Sequence, residues 1–210
     1  MIQGFYHICM INDYRSIVRE QWDLIKSSGL LDAVDKIHIG CLGPKSDFNA
    51  LVDLIYCDKI AFYHNISTSL FEFFTLNILH YQSGINDFNG FYIHTKAVTW
   101  PKHEGGKYWR DYMNYYNITK WKDCLDNLEK GYETCGVKLQ SLRDGPAHKM
   151  HYSGNFFWFK SQYIRTLVPI NQLNVTNRLD AEMWIASACP IAATLCQMFV
   201  DYNTKGIFKP

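Results

Sequence analysis

Net charge is nearly absent: 21 lysines and arginines stand against 20 aspartates and glutamates, a formal +1 over 210 residues. A surface so close to neutral has no broad field for nucleic acid or an anionic membrane, so any phosphate must be bound by local groups. The usual phosphate cradles are missing as well. There is no GxGxxG, and GCLGPKS (Gly40 to Ser46) lacks the spacing of a P-loop, which reads its glycines as turn formers. Neither HExxH, GxSxG nor a paired Cys/His zinc pattern occurs, which sets the common hydrolase and zinc-enzyme readings aside. The seven cysteines are odd in number and contain no CxxC pair, as expected of reduced core residues rather than a disulfide framework. MIQGFYHICMIND, at the start, has no basic flank and too short an apolar run for a signal peptide or a membrane span. A cytoplasmic protein without membrane insertion is the expectation. Internal repeats and low-complexity segments are also missing.

What is present is apolar and aromatic, 48% and 16% of the residues, enough for one domain with a substantial core. Gly4 to Met10 reads as a strand, and Asp13 is placed to cap a helix reaching about Ser28. The alternation repeats. Val34 to Cys41 reads as a strand, Asp47 to Ile55 as a helix, Ile60 to His64 as a strand, and Ser69 to Gln82 as a helix ended by Gly84. GFYIHTKAVTW (Gly90 to Trp100) supplies the fourth strand. Strands alternating with helices predict an α/β fold with a mostly parallel, Rossmann-like central sheet flanked by helices. After residue 100 the rhythm breaks: a long helical pattern over Trp109 to Lys130, a strand over Tyr132 to Leu139, and a loop at Leu142 to His148. A strand over Tyr152 to Phe159, a short helix from Ser161 and a helical segment near Asp180 follow. The expectation is a single domain, with residues 1–100 as a nucleotide-type half and 101–210 as an irregular acceptor-type half.

Three clusters carry chemistry. His94-Thr95-Lys96 ends the fourth strand, where open α/β sheets bind ligands. Lysine can pair with a diphosphate as a point charge, and imidazole can hold a divalent ion or a phosphoryl oxygen; an ordinary strand exit would read the same way. His148-Lys149-Met150-His151 leads into Ser153-Gly154-Asn155, small polar groups suited to phosphate and sugar hydroxyls, and then into an aromatic run that core packing explains equally well. Asp180 and Glu182 stand two apart near a helix start, so one can face a ligand while the other caps or pairs.

Taken in order, YIHTKA (Tyr92 to Ala97), WRDYMNYY…W (Trp109 to Trp121), HYSGNFFWFKSQYIRTL (His151 to Leu167) and RLDAEMWI (Arg178 to Ile185) resemble a small subgroup of the GT-A glycosyltransferases. The resemblance spans nearly the whole chain and extends to chlorella-virus domains implicated in decorating a capsid protein. It implies a nucleotide-sugar donor, with uridine diphosphate glucose or rhamnose as candidates, and a glycan or glycoprotein acceptor. Most of that family carries Asp-x-Asp, holding Mn²⁺ or Mg²⁺, where this chain has His94-Thr95-Lys96. Direct contact with the diphosphate by imidazole and ammonium is therefore expected. A metal, if bound, would be held by His94 with His148 or His151. Asp180 or Glu182 is the expected base of an inverting transfer. The donor set implied by the resemblance and by strand ends is Met10, Asn12, Asp13, Arg15, His64, His94, Thr95, Lys96, Ser153, Gly154 and Asn155. A silent nucleotide- or carbohydrate-binding module and a sugar nucleotidyltransferase are the alternatives, although the latter normally carries a glycine-rich loop after its first strand and ICMINDYR (Ile8 to Arg15) has none. The run Phe208-Lys209-Pro210 suggests further domains of a longer chain.

Overall fold

The structure, a computed structural model, describes residues 1–99, 104–141 and 150–196. The expected loop at 142–148, with His148 and Lys149, lies outside the described residues.

The first half alternates as its periodicity predicts: β1 (Ile2–Cys9), α1 (Tyr14–Ser27), a single turn α2 (Leu30–Ala33), β2 (Lys36–Leu42), α3 (Lys45–Ile55), β3 (Ile60–Asn65), α4 (Phe73–Ser83) and β4 (Asn89–His94). The second half contributes α5 (Glu104–Asn114), α6 (Trp121–Glu129), β5 (Thr134–Gly136), β6 (Leu139–Ser141), β7 (Met150–Tyr152), β8 (Phe157–Lys160), α7 (Ser161–Ile164), α8 (Arg178–Met183) and β9 (Ala192–Thr194). Seven strands form one sheet in the order β3-β2-β1-β4-β8-β5-β9. β1 to β4 run parallel, β8 is antiparallel to both β4 and β5, and β9 is parallel to β5. The sheet is thus continuous across residue 100. β6 and β7 form a separate antiparallel pair.

Strands buried on both faces explain the unbroken apolar runs. Along β1, Tyr6 and Ile8 face a core shared with Ile17, Val18, Trp22 and Ile25 of α1, while Phe5 faces the opposite core with Phe73, Leu76 and Leu79 of α4. The spacing of those α1 residues, near one turn, is what gives the helix its buried face.

Four details depart from the expected pattern. The strand over Tyr132 to Leu139 divides into β5, in the main sheet, and β6, which begins only at Leu139 and belongs to the separate pair. The strand over Tyr152 to Phe159 is two strands, because Gly154 and Asn155 both take positive φ (87° and 59°) and turn the chain between β7 and β8. The long helix is split by a π-helical turn at Tyr115–Thr119, where the Asn117 carbonyl accepts a hydrogen bond from Trp158 Nε1 (2.9 Å); inserted side-chain donors are a usual companion of such turns. Asp13 stands at the N-cap of α1 but accepts from the Ser16 hydroxyl (2.8 Å) rather than from a backbone N–H. Among the described residues, no helix is long and apolar enough to cross a membrane, and the seven cysteines are free.

The seat of α4 on β2 is tight. A Cβ on Gly40 would lie 2.0 Å from Thr75 Oγ1 and 3.0 Å from Thr75 Cβ. Gly40→Ala should therefore force α4 outward and cost about 1–3 kcal/mol, the usual range for overpacking. Urea denaturation measures this, and an unchanged midpoint would show that α4 does not sit there.

Candidate functional site

In the order β3-β2-β1-β4 the chain reverses direction of winding between β1 and β4, and at the carboxyl ends of those two strands lies a half-open cleft. That is where the switch-point rule puts a ligand. Its floor is built by His7 and Cys9 of β1 and by Phe71 and Glu72 at the entry to α4. The exit of β4, His94 to Thr99, makes one wall, with Arg178 and Glu182 of α8 opposite.

The exit of β4 is held from behind at alternate carbonyls. Gln21 Nε2 donates to His94 O (3.2 Å), Arg110 Nη1 to Lys96 O (3.1 Å), and Asn12 Nδ2 to Val98 O (2.9 Å). Gln21 is itself fixed by Tyr6 OH (2.6 Å) and Asn114 (3.0 Å), and Arg110 grips both carboxylate oxygens of Glu20 at 3.2 Å. Such two-point charge-assisted contacts fix orientation as well as energy. Thr95 is spent on the sheet: its N–H donates to His7 O (3.0 Å), and its hydroxyl accepts from Cys9 N–H (3.1 Å).

The floor is equally organised. Glu72 Oε2 accepts from Tyr92 OH (3.0 Å) and Asn155 Nδ2 (2.5 Å), while Glu72 Oε1 faces His94 Nδ1 at 3.8 Å. His94 Nε2 donates to Gly154 O (2.9 Å), and His7 Nδ1 lies 2.8 Å from Thr75 Oγ1. Phe71, just before Glu72, takes φ 47° and ψ −150°, a conformation costly for a residue with a Cβ and common where side chains are aimed at ligands.

Burial, reinforced by the Lys96 charge, pushes His94 down to about 3; burial also pushes His7 down to about 4, against the opposing pull of Glu72. Both imidazoles are neutral at pH 7. Positive charge in the cleft is left to Lys96 and Arg178, and no hydrogen bond or ion pair engages their head groups among the described residues.

The expected site residues divide. His94, Thr95, Lys96 and Glu182 line the cleft. Asp180 does not; it accepts from Asn177 Nδ2 (2.9 Å) at the start of α8. Ser153, Gly154 and Asn155 lie buried beneath the cleft, where the Gly154 carbonyl holds His94 and the Asn155 amide holds Glu72. Met10 is buried at the end of β1, and Asn12 secures the Val98 carbonyl. Asp13 stands at the N-cap and Arg15 in the first turn of α1, Arg15 paired with Asp47 (3.0 Å); His64 Nε2 donates to Gly43 O (2.9 Å). His151 is buried in β7 with Nε2 3.3 Å from Gln140, and His148 lies outside the described residues. Among the described residues no group of three or more His, Cys, Asp or Glu side chains forms a metal cage. His94 has committed Nε2 to a carbonyl, which leaves Nδ1, facing Glu72 Oε1 at 3.8 Å, as its one open ring nitrogen.

Glu72, His7 and Arg178 were not among the expected residues. The signal available was a lone charge in an apolar run: Glu72 within SLFEFF, and His7 within GFYHIC.

A family model described as a domain of unknown function (DUF8361) matches residues 5–194. The chain belongs to that family. No curated protein matches it. Among solved structures, 4-diphosphocytidyl-2C-methyl-D-erythritol synthase from Anaerococcus prevotii DSM 20548 is similar at 9% identity, covering 95% of this chain and 90% of that one with a TM-score of 0.49.

Neutral imidazoles have a consequence for stability. The unfolded chain takes up protons on His7 and His94 as pH falls below the ordinary value of 6.5, while the folded chain waits until about 4 and about 3. The native state is therefore fully favoured above 6.5 and loses up to about 1.4 kcal/mol per pH unit per histidine between 6.5 and 4. Urea midpoints at pH 7, 6 and 5 should fall in that order. Replacing His94 by Asn should reduce the slope; a flat profile in the parent would mean that these rings are charged in the fold.

Proposed function

We propose that the protein is an inverting glycosyltransferase that moves a hexose from a uridine diphosphate sugar, glucose or rhamnose being the candidates, to a glycan or glycoprotein acceptor such as a viral capsid protein. The observation that carries the reading is the meeting of Lys96, Arg178 and Glu182 in one cleft at the carboxyl ends of β1 and β4. Transfer needs the leaving diphosphate stabilised and the acceptor hydroxyl deprotonated. Lys96 and Arg178 meet the first need. Glu182 meets the second, accepting the hydroxyl proton as the acceptor oxygen attacks the anomeric carbon and the bond to the diphosphate breaks, its electron pair leaving with the phosphate oxygen. The nucleoside extends along the strand ends toward Met10, Asn12, Asp13, Arg15 and His64, and Ser153, Gly154 and Asn155 support the cleft from below.

A divalent ion, Mn²⁺ or Mg²⁺, would be carried chiefly by the diphosphate oxygens and would supply further charge neutralisation there. With two cationic side chains at the cleft, chelation is expected to slow transfer without abolishing it. A sugar nucleotidyltransferase would instead release pyrophosphate from a nucleoside triphosphate, and a silent binding module would leave a nucleotide sugar unhydrolysed.

Lys96→Ala should weaken uridine diphosphate binding by about one to two decades, the worth of one charge-assisted hydrogen bond. Unchanged affinity would remove Lys96 from the site. Glu182→Gln should lower turnover by on the order of 10²–10⁴ with little change in donor affinity, and Asp180→Asn should act on stability. Loss of turnover in the Asp180 variant alone would reverse the assignment of the base.

A further inference from the structure

The floor of the cleft presents two acceptors to each other with no donor between them. His94 Nε2, 2.9 Å from the Gly154 carbonyl, must carry the ring proton, because a carbonyl oxygen only accepts. A ring with one proton then offers a lone pair at Nδ1. Glu72 Oε1 lies 3.8 Å from that nitrogen, and the other carboxylate oxygen is already occupied by Tyr92 and Asn155. Both side chains are only 10% exposed. Two acceptors facing each other across 3.8 Å at the edge of the cleft repel, and a donor placed between them from the cleft relieves that repulsion. Each is anchored away from the other, Glu72 through Oε2 by Tyr92 and Asn155 and His94 through Nε2 by the Gly154 carbonyl. The pair is thus a fork built in advance for hydrogen-bond donors.

The fork's chemistry selects its occupant. A phosphate is repelled by the carboxylate and by the Nδ1 lone pair, and its natural place is beside Lys96 and Arg178 on the cleft wall. A neutral group with two adjacent O–H donors satisfies both acceptors at once.

We infer that Glu72 and His94 form a sugar-hydroxyl subsite, in which adjacent hydroxyls of the transferred hexose donate to Glu72 Oε1 and His94 Nδ1. This rests on the nucleotide-sugar reading and deepens it. The donor lies with its hexose on the floor and its diphosphate toward Lys96, and Glu72 is a specificity residue. Sugars lacking one of the two hydroxyls leave a buried acceptor unpaired, and the site discriminates against them.

Calorimetric titration with uridine diphosphate, uridine diphosphate glucose and uridine diphosphate rhamnose, with and without Mn²⁺, tests the inference on the whole chain. In Glu72→Gln the amide oxygen can still accept from Tyr92 and Asn155, while its NH₂ turns to His94 Nδ1 and closes the fork from within. The variant should melt as the parent does, bind uridine diphosphate equally well, and bind the preferred nucleotide hexose about 10- to 100-fold more weakly, as expected for a hydrogen bond to a charged group. Independently of any variant, the parent should show a loss of the same size for a donor deoxygenated at one of two adjacent ring positions. Equal weakening of uridine diphosphate and its hexose conjugates in Mn²⁺ would assign the fork to a cation and overturn the inference, as would no loss for any deoxygenated donor or no effect of Glu72→Gln on a folded variant. In those cases retained uridine diphosphate binding leaves the nucleotide-sugar reading standing. Failure of the parent to bind any of the three ligands removes both.

Discussion

Three carbonyls at the exit of β4 are each gripped from behind, and the cleft takes its shape from that grip. β4 ends at His94 and the chain turns over residues 96–99, so the donors from Gln21, Arg110 and Asn12 to the carbonyls of His94, Lys96 and Val98 fix the path of that turn along the opening between β1 and β4. Of the three anchors, Arg110 does most, because its guanidinium spans Glu20 on α1 and the backbone of Lys96. Removing it would leave the Glu20 carboxylate without its two-point partner and the Lys96 carbonyl free, and loss of one partner from a largely buried pair costs more than the pair contributes while intact. The segment that lines the cleft after β4 is thus held in one arrangement by the rest of the fold.

Charge in the cleft is separated by depth. Burial keeps the imidazoles of His7 and His94 neutral, whereas Lys96 and Arg178, nearer to solvent, carry the positive charge. Two carboxylates, Glu72 and Glu182, share the space with different surroundings: Glu72 is tied on one oxygen by Tyr92 and Asn155, and Glu182 has no hydrogen bond or ion pair among the described residues. Similar groups thus acquire different surroundings from what holds them, and different surroundings give carboxylates different chemistry.

The first half of the fold was legible because its signals are local. Apolar runs of strand length, helices with one buried face, and Gly84 after α4 are each read within a dozen residues. The parallel order of β1 to β4 follows from their alternation with helices. The placement of β8 was not legible in the same way: its pairing with β4 joins Asn89 to Lys160 and Tyr92 to Phe157, contacts that leave no local period. The site divides along the same line. His94, Thr95 and Lys96 are visible as polar residues at a strand end, and Glu182 as one of two acids near a helix start. The choice of Glu182 over Asp180 for the cleft depends on how α8 is seated. Glu72 was obscured because an acid at the edge of an apolar helix looks like an N-terminal charge until Tyr92 and Asn155, from other strands and turns, are placed around it.

The turn at Gly154 and Asn155 carries a consequence for how the two halves of the chain depend on each other. Its carbonyl fixes a histidine more than fifty residues upstream, and its amide fixes a glutamate further upstream still. During synthesis the first four strands emerge with their polar floor unsupported, and the floor acquires its geometry only when this turn, which leads from the separate β6–β7 pair into β8 of the main sheet, closes over it. The halves therefore cannot be traded as independent modules. A change in the second half would also change the floor of the cleft, and a substitution at this turn would be felt at Glu72 and His94.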